Sequence, residues 1–148
     1  MNTDHRPYRV LFLCTGNSAR SIFAEYFLRR LGGDRFESYS AGAAPSGVVN
    51  PLTIQVLRER FHIDASDARS KPWEELRSVT FDFVITLCDN ARETCPVFFN
   101  AAQRLHHDFE DPAACQGGEA ERLEVFRRVR DELRQYLRDF AAGEVRVS

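Results

Sequence analysis

Lysine is almost missing from this chain. Of its 20 basic residues all but Lys71 are arginine, and methionine and tryptophan each occur once in 148 residues. No apolar run comes near the ~20 residues of a membrane span, and the opening MNTDHRPYR has no apolar core of a secretory signal. The reading is of a soluble, cytoplasmic protein with no membrane partner. Charge of one sign is also lacking: 20 basic against 22 acidic side chains leave a net charge of −2. That excludes the basic surface of a dedicated nucleic-acid binder. Repeats, low-complexity tracts and linkers are missing too, so residues 1–148 are expected to form one domain. Cysteine is scarce at four residues, Cys14, Cys88, Cys95 and Cys115. In a reducing compartment such thiols are reactive, metal-binding or inert rather than structural disulfides. His106 and His107 lack further ligands at metal spacing, so no metal and no cofactor are expected.

What is present alternates. Arg9–Cys14 is a short apolar run of the buried parallel type. A helix follows from Ser18 or Ser21 to Leu31, with Ile22, Phe23, Tyr26, Phe27 and Leu31 inward, stopped by Gly32 and Gly33. RFESYSAG reads as a second strand. Asn50 before Pro51 reads as a helix cap, opening a helix to Phe61 with Ile54, Leu57 and Phe61 inward. FDFVITL is a third strand and RLHHDF a fourth; DNARETCPVF between them is a loop or short helix. The last helix, Glu119 to Phe140, carries Leu123, Phe126, Val129, Leu133, Leu137 and Phe140 at amphipathic spacing. Its Arg127, Arg128, Arg130 and Arg134 read as a solvated face. Strands alternating with helices give an α/β, three-layer sandwich around a four-stranded parallel sheet. Ligands of such sheets sit outside the carboxyl ends of the strands. Cys14, Cys88 and Asp111 all fall there.

Cys14 is followed by Thr15, Gly16, Asn17, Ser18, Ala19, Arg20 and Ser21. A turn of small residues entering a helix presents unpaired N–H groups and the positive end of the helix dipole, which suits an anion. Arg20 adds a fork that grips two oxygens of a tetrahedral oxyanion. The same field makes Cys14 a nucleophile. Ser21 is placed to bond its sulfur, and Asn17 to hold the loop through neighbouring backbone.

With CTGNSARS after a strand and the later DP of FEDPA, the chain resembles the low-molecular-weight tyrosine phosphatase superfamily. VITLCDNARETCP, YSAG and FRRVRDEL make it similar to the arsenate reductases built on that fold. The resemblance implies Cys14 as nucleophile, Arg20 as oxyanion clamp, Asp111 as general acid, and Cys88 and Cys95 as a redox shuttle. It implies reduction of arsenate to arsenite, and a thiol reductant, thioredoxin or another, as partner. Ala113 stands where the phosphatases carry a tyrosine, which removes an aromatic wall for phosphotyrosine. Glu25 and Ser40 match two ligands of a potassium ion seen in some relatives, and Lys71 is expected to take that cation's place beside Glu25.

In the implied relay Cys14 attacks arsenate, Cys88 attacks the Cys14 sulfur as arsenite departs, and Cys95 then takes over Cys88. Spacing sets a condition. Seven residues of intact helix rise ~10.5 Å, whereas bridged Cα atoms lie about 4.4–6.8 Å apart. The segment must therefore bend or unwind, with Asp89, Asn90 and Pro96 favouring this. Cys115 matches nothing in the family pattern and reads as an incidental thiol. Two rivals stay open: a phosphatase using Cys14, Arg20 and Asp111 alone, and a non-catalytic oxyanion or redox sensor.

Overall fold

The computed structural model describes residues 6–95 and 101–143. Its strands are β1 (Tyr8–Cys14), β2 (Phe36–Gly42), β3 (Phe81–Thr86) and β4 (Ala101–His106). Its helices are α1 (Arg20–Gly32), α2 (Pro51–Phe61), α3 (Asp89–Thr94) and α4 (Glu119–Ala141). Short 3-10 turns cover Gly33–Arg35, Trp73–Leu76 and Pro112–Ala114. The four strands form one parallel sheet in the order β2-β1-β3-β4.

Val10 to Cys14 are buried without a break, which requires cover on both faces of β1. Helices α1, α2 and α4 pack on one another, while the Trp73 turn packs on β2 and α3 on β1 and β3. Phe12, Phe23, Phe27 and Phe126 are among the largest fully buried side chains. Each contributes about 1.5–3 kcal/mol by leaving water. Asn50 caps α2 as its sequence implies, accepting from Leu52 N at 3.0 Å.

Four readings need correction. The buried face of α2 is Thr53, Val56 and Leu57; Ile54 and Phe61 are only half-buried, Phe61 lying at the helix end where its α4 cover is the guanidinium groups of Arg130 and Arg134 rather than apolar side chains. Likewise Leu31 is only half-buried at the end of α1. Strand β4 runs Ala101–His106 rather than Arg104–Phe109: as the sheet's edge it leaves Ala102, Gln103 and Arg104 exposed and buries only Leu105, so it shows no apolar run. Arg130 is not solvated. It is 4% exposed, donating to Val56 O at 2.9 Å and pairing with Glu59 at 3.0 Å and Asp131 at 2.9 Å. Pro96, expected to discourage helix at Cys95, lies outside the described residues.

Candidate active site

Strand order places the site. From β1 the chain turns outward to β2, and from β3 outward to β4, so the order reverses between β1 and β3. The crevice at that reversal lies between the ends of two adjacent strands, where α/β sheets bind ligands. Cys14 ends β1, and Cys88 follows β3 by two residues.

The loop after Cys14 gets its shape from the segment after β2. Ala43, Ala44, Ser46 and Asn50 donate their N–H groups to the carbonyls of Cys14, Thr15, Gly16 and Ser18 at 2.9–3.1 Å. Ser70 Oγ adds a bond to Gly16 O at 3.0 Å, and Thr53 Oγ1 one to Ser18 O at 2.8 Å. These carbonyls are therefore drawn outward. In a planar trans peptide the following N–H points the opposite way, and no cis bond occurs among the described residues. The N–H groups of Thr15, Gly16, Asn17 and Ala19 thus turn toward the loop's concave side. Gly42 permits this close layering: a Cβ there would lie 2.6 Å from Thr15 O. Ala19 occupies the cap position of α1 without a side-chain cap, leaving the first turn open to an anion.

Asn17 holds the loop from its centre. It is fully buried with φ 48°, a left-handed conformation that asparagine tolerates. Its Oδ1 accepts from Lys71 N at 2.9 Å, and its Nδ2 donates to Ser40 Oγ at 3.1 Å and Ser21 Oγ at 2.7 Å. Ser21 Oγ lies 3.0 Å from Cys14 Sγ. Since Ser21 already accepts from Asn17, its own proton is available to the sulfur.

Arg20 is 7% exposed. Its Nη1 donates to Phe109 O at 3.1 Å, and its Nη2 lies 3.7 Å from Asp111 Oδ2. Its Nε is buried with no partner among the described residues. A buried orphan donor beside inward N–H groups suits an incoming oxyanion. Asp111 does two things: Oδ1 caps Ala113 N at 3.0 Å, and Oδ2 faces Arg20. That leaves a carboxyl at the rim, able to exchange a proton with a leaving oxygen.

Cys88 is 5% exposed, with Sγ 3.3 Å from Thr15 Oγ1. Asn90 Nδ2 donates to the same Thr15 hydroxyl at 3.0 Å. The loop is thereby tied to α3. All four cysteines are free thiols, and α3 is intact between Cys88 and Cys95. His106 is more than a strand residue. It bridges Thr86 Oγ1 at 2.7 Å and Asp89 Oδ1 at 2.9 Å, joining β3, β4 and the start of α3. Cys115 is half-buried in the turn after Asp111.

The expected cation substitute is not Lys71. Arg29 pairs with Glu25 across one helical turn, and Ser40 Oγ donates to the same carboxylate at 2.6 Å. The Lys71 ammonium instead donates to Arg69 O at 3.4 Å, and burial pushes it below its ordinary pKa, partly countered by the Glu25 charge. A metal ion at Glu25 would have to displace a guanidinium, so these residues do not fit one. Among the described residues no cluster of acidic, histidine or cysteine side chains could hold a metal. No described helix is long and apolar enough to cross a membrane.

Residues 9–146 match the low molecular weight phosphotyrosine protein phosphatases. This chain belongs to that family. Within it, an arsenate reductase of Halalkalibacterium halodurans is 39% identical over 132 residues, covering 89% of this chain and 94% of the relative. A solved arsenate reductase in its phosphate-binding state superposes with a TM-score of 0.78 at 30% identity, covering 93% of this chain and 99% of the other. A thioredoxin-dependent arsenate reductase of Corynebacterium glutamicum gives a TM-score of 0.66 at 27% identity, over 95% of this chain and 65% of the other.

Proposed function

We propose that this family member is an arsenate reductase that carries out the reaction with three of its own thiols. The observation that carries the reading is Cys88: a buried second thiol, bonded through Thr15 to the loop that presents Cys14. Phosphoryl transfer needs no such group, whereas reduction does.

In this reading arsenate takes the inward N–H groups and the Arg20 guanidinium. The Cys14 sulfur attacks arsenic, and Asp111 protonates the departing oxygen, which leaves as water. Cys88, helped by the Thr15 hydroxyl, then attacks the Cys14 sulfur. The S–As electron pair passes to arsenic, As(V) becomes As(III), arsenite leaves, and a Cys14–Cys88 disulfide remains. Cys95 attacks Cys88, releasing Cys14 as thiolate and leaving Cys88–Cys95. Only this last attack is ordinary thiol–disulfide exchange; the first is substitution at arsenic, and the second forms the disulfide with the two electrons that arsenic takes up. A dithiol protein of the thioredoxin class restores the last pair, in keeping with the thioredoxin dependence of the Corynebacterium neighbour. All of this chemistry belongs to a cytoplasmic, reducing compartment.

The test measures arsenite release with thioredoxin, its reductase and NADPH, alongside hydrolysis of a phosphate ester. Cys14→Ser should lose both activities. Cys88→Ser should keep ester hydrolysis and lose arsenite, and Cys95→Ser should stop after one turnover as the Cys14–Cys88 disulfide. Asp111→Asn should slow the first attack by about 10²-fold or more, and Cys115→Ser should match the parent. A parent that hydrolyses esters but yields no arsenite would make the protein a phosphatase. Oxyanion binding with neither activity would make it a sensor.

A further inference from the structure

Cys95 closes α3, and its half-buried sulfur accepts a hydrogen bond from Arg104 Nη1 at 3.1 Å. Arg104 stands on β4, in register with Val84 of β3. Arg92 and His106 line the same cavity of about 210 Å³ as Cys95 and Arg104, but Arg92 lies 3.6 Å from Asp89 across the first turns of α3, and both ring nitrogens of His106 are taken by Thr86 and Asp89. The direct contact to sulfur thus belongs to Arg104. A guanidinium keeps its proton throughout the working range. Its bond to sulfur is therefore charge-assisted, and such bonds favour an anionic acceptor over a neutral one.

We infer that Arg104 is a further catalytic residue, one that carries the negative charge of the Cys95 sulfur in the reduced protein and so readies it to attack Cys88. The inference rests on the three-thiol reading above and deepens it. Cys95 first gives its proton to solvent. Its sulfur electron pair then forms the bond to Cys88 Sγ, the Cys14–Cys88 bond breaks, and Cys14 leaves as thiolate into the anion loop. One disulfide is exchanged for another, so no outside oxidant or reductant enters this step. Each thiol in the chain of transfer then has its own donor: Ser21 for Cys14, Thr15 for Cys88 and Arg104 for Cys95.

The experiment follows alkylation of Cys95 by iodoacetamide in the reduced full-length chain, resolved by peptide mass mapping, from mildly acid to alkaline pH. Arg104→Met should slow Cys95 by about tenfold at neutral pH, and the difference should close at alkaline pH, where a thiol ionises unaided. Arg104→Lys should keep most of the parent rate. Arg104→Gln, which retains donors without charge, should behave as methionine does and serves if the methionine variant does not fold. A slowing that is the same at every pH would mean access alone, and would overturn the inference, as would unchanged or faster alkylation. Arsenate takes no part in this assay. If the parent yields no arsenite, the function fails while the Arg104 result is read independently. Mapping of disulfides after a single arsenate addition then adds the second measurement: the Arg104→Met chain should hold Cys14–Cys88 longer than the parent.

Discussion

Glu25 shows how a single residue can be tested. Its carboxylate is 6% exposed and lies under the anion loop, joined through Ser40 to Asn17 and so to Ser21 and Cys14. Arg29 supplies the compensating charge. Removing it with Arg29→Met leaves a buried charge short of a partner, which costs roughly 1–3 kcal/mol. Urea unfolding should read that loss, and because the guanidinium already occupies the carboxylate, potassium and sodium at equal concentration should give the parent the same melting temperature. Specific stabilisation by potassium would contradict the assignment. This partner was not legible in the sequence. Lys71 attracts attention as the lone lysine, and its backbone N–H does reach the loop, yet its ammonium turns to Arg69 O. The distinction depends on which way a long side chain leaves the backbone, and spacing does not encode that.

At the scale of elements, α3 and the α2–α4 contact bear opposite demands. α3 is a six-residue helix whose ends carry Cys88 and Cys95. A disulfide between them needs Cα atoms within about 6.8 Å, while intact helix of that span rises ~10.5 Å. Hydrogen exchange should therefore show the amides of residues 92–94, the ones α3 bonds internally from Arg92 N to Cys88 O onward, protected in the reduced protein and unprotected once Cys88–Cys95 forms. In a Cys95→Ser chain halted at Cys14–Cys88, they should stay protected. The α2–α4 contact must instead hold. Hydrogen bonding from Arg127, aided by Arg130, lowers the Glu59 carboxyl below its ordinary value against the opposing effect of burial. A carboxyl lowered on folding contributes stability above its unfolded pKa, and that stability is lost as pH falls through the lower folded value. Glu59→Gln should thus cost about 1 kcal/mol at neutral pH, and the gap to the parent should close in strong acid, by urea unfolding at both. The sequence showed the amphipathic stripe of α4 because it repeats along one helix. Arg130 escaped it because Val56 and Glu59 lie more than seventy positions away.

For the molecule as a whole, parallel topology does the gathering. The opening loop was legible because its residues are contiguous and sit between a strand and a helix. The convergence of Cys14, Cys88 and Asp111 followed from the fold class, since right-handed crossovers put strand ends on one edge. What stayed hidden were the long-range bonds that give the loop its form. Residues 43–49 read only as a loop and Asn50 only as a cap, though the N–H groups of Ala43, Ala44, Ser46 and Asn50 fix which way the site's own peptides face. The same holds for Arg104: RLHHDF already put it on a strand, but its bond to Cys95 joins two different elements, which no pattern within either one encodes.

That dependence has a consequence in time. Cys14 to Arg20 are synthesised before the groups that shape them, which come from Ala43 to Asn50, Lys71 and Phe109. Contacts of such wide sequence separation form late in folding. In refolding from urea, oxyanion binding should consequently return with the slowest phase, after the helical signal, and simultaneous recovery would speak against it. A half-made chain would carry the nucleophile without the cradle that arms it, so the thiol chemistry switches on only when the whole fold has closed around it.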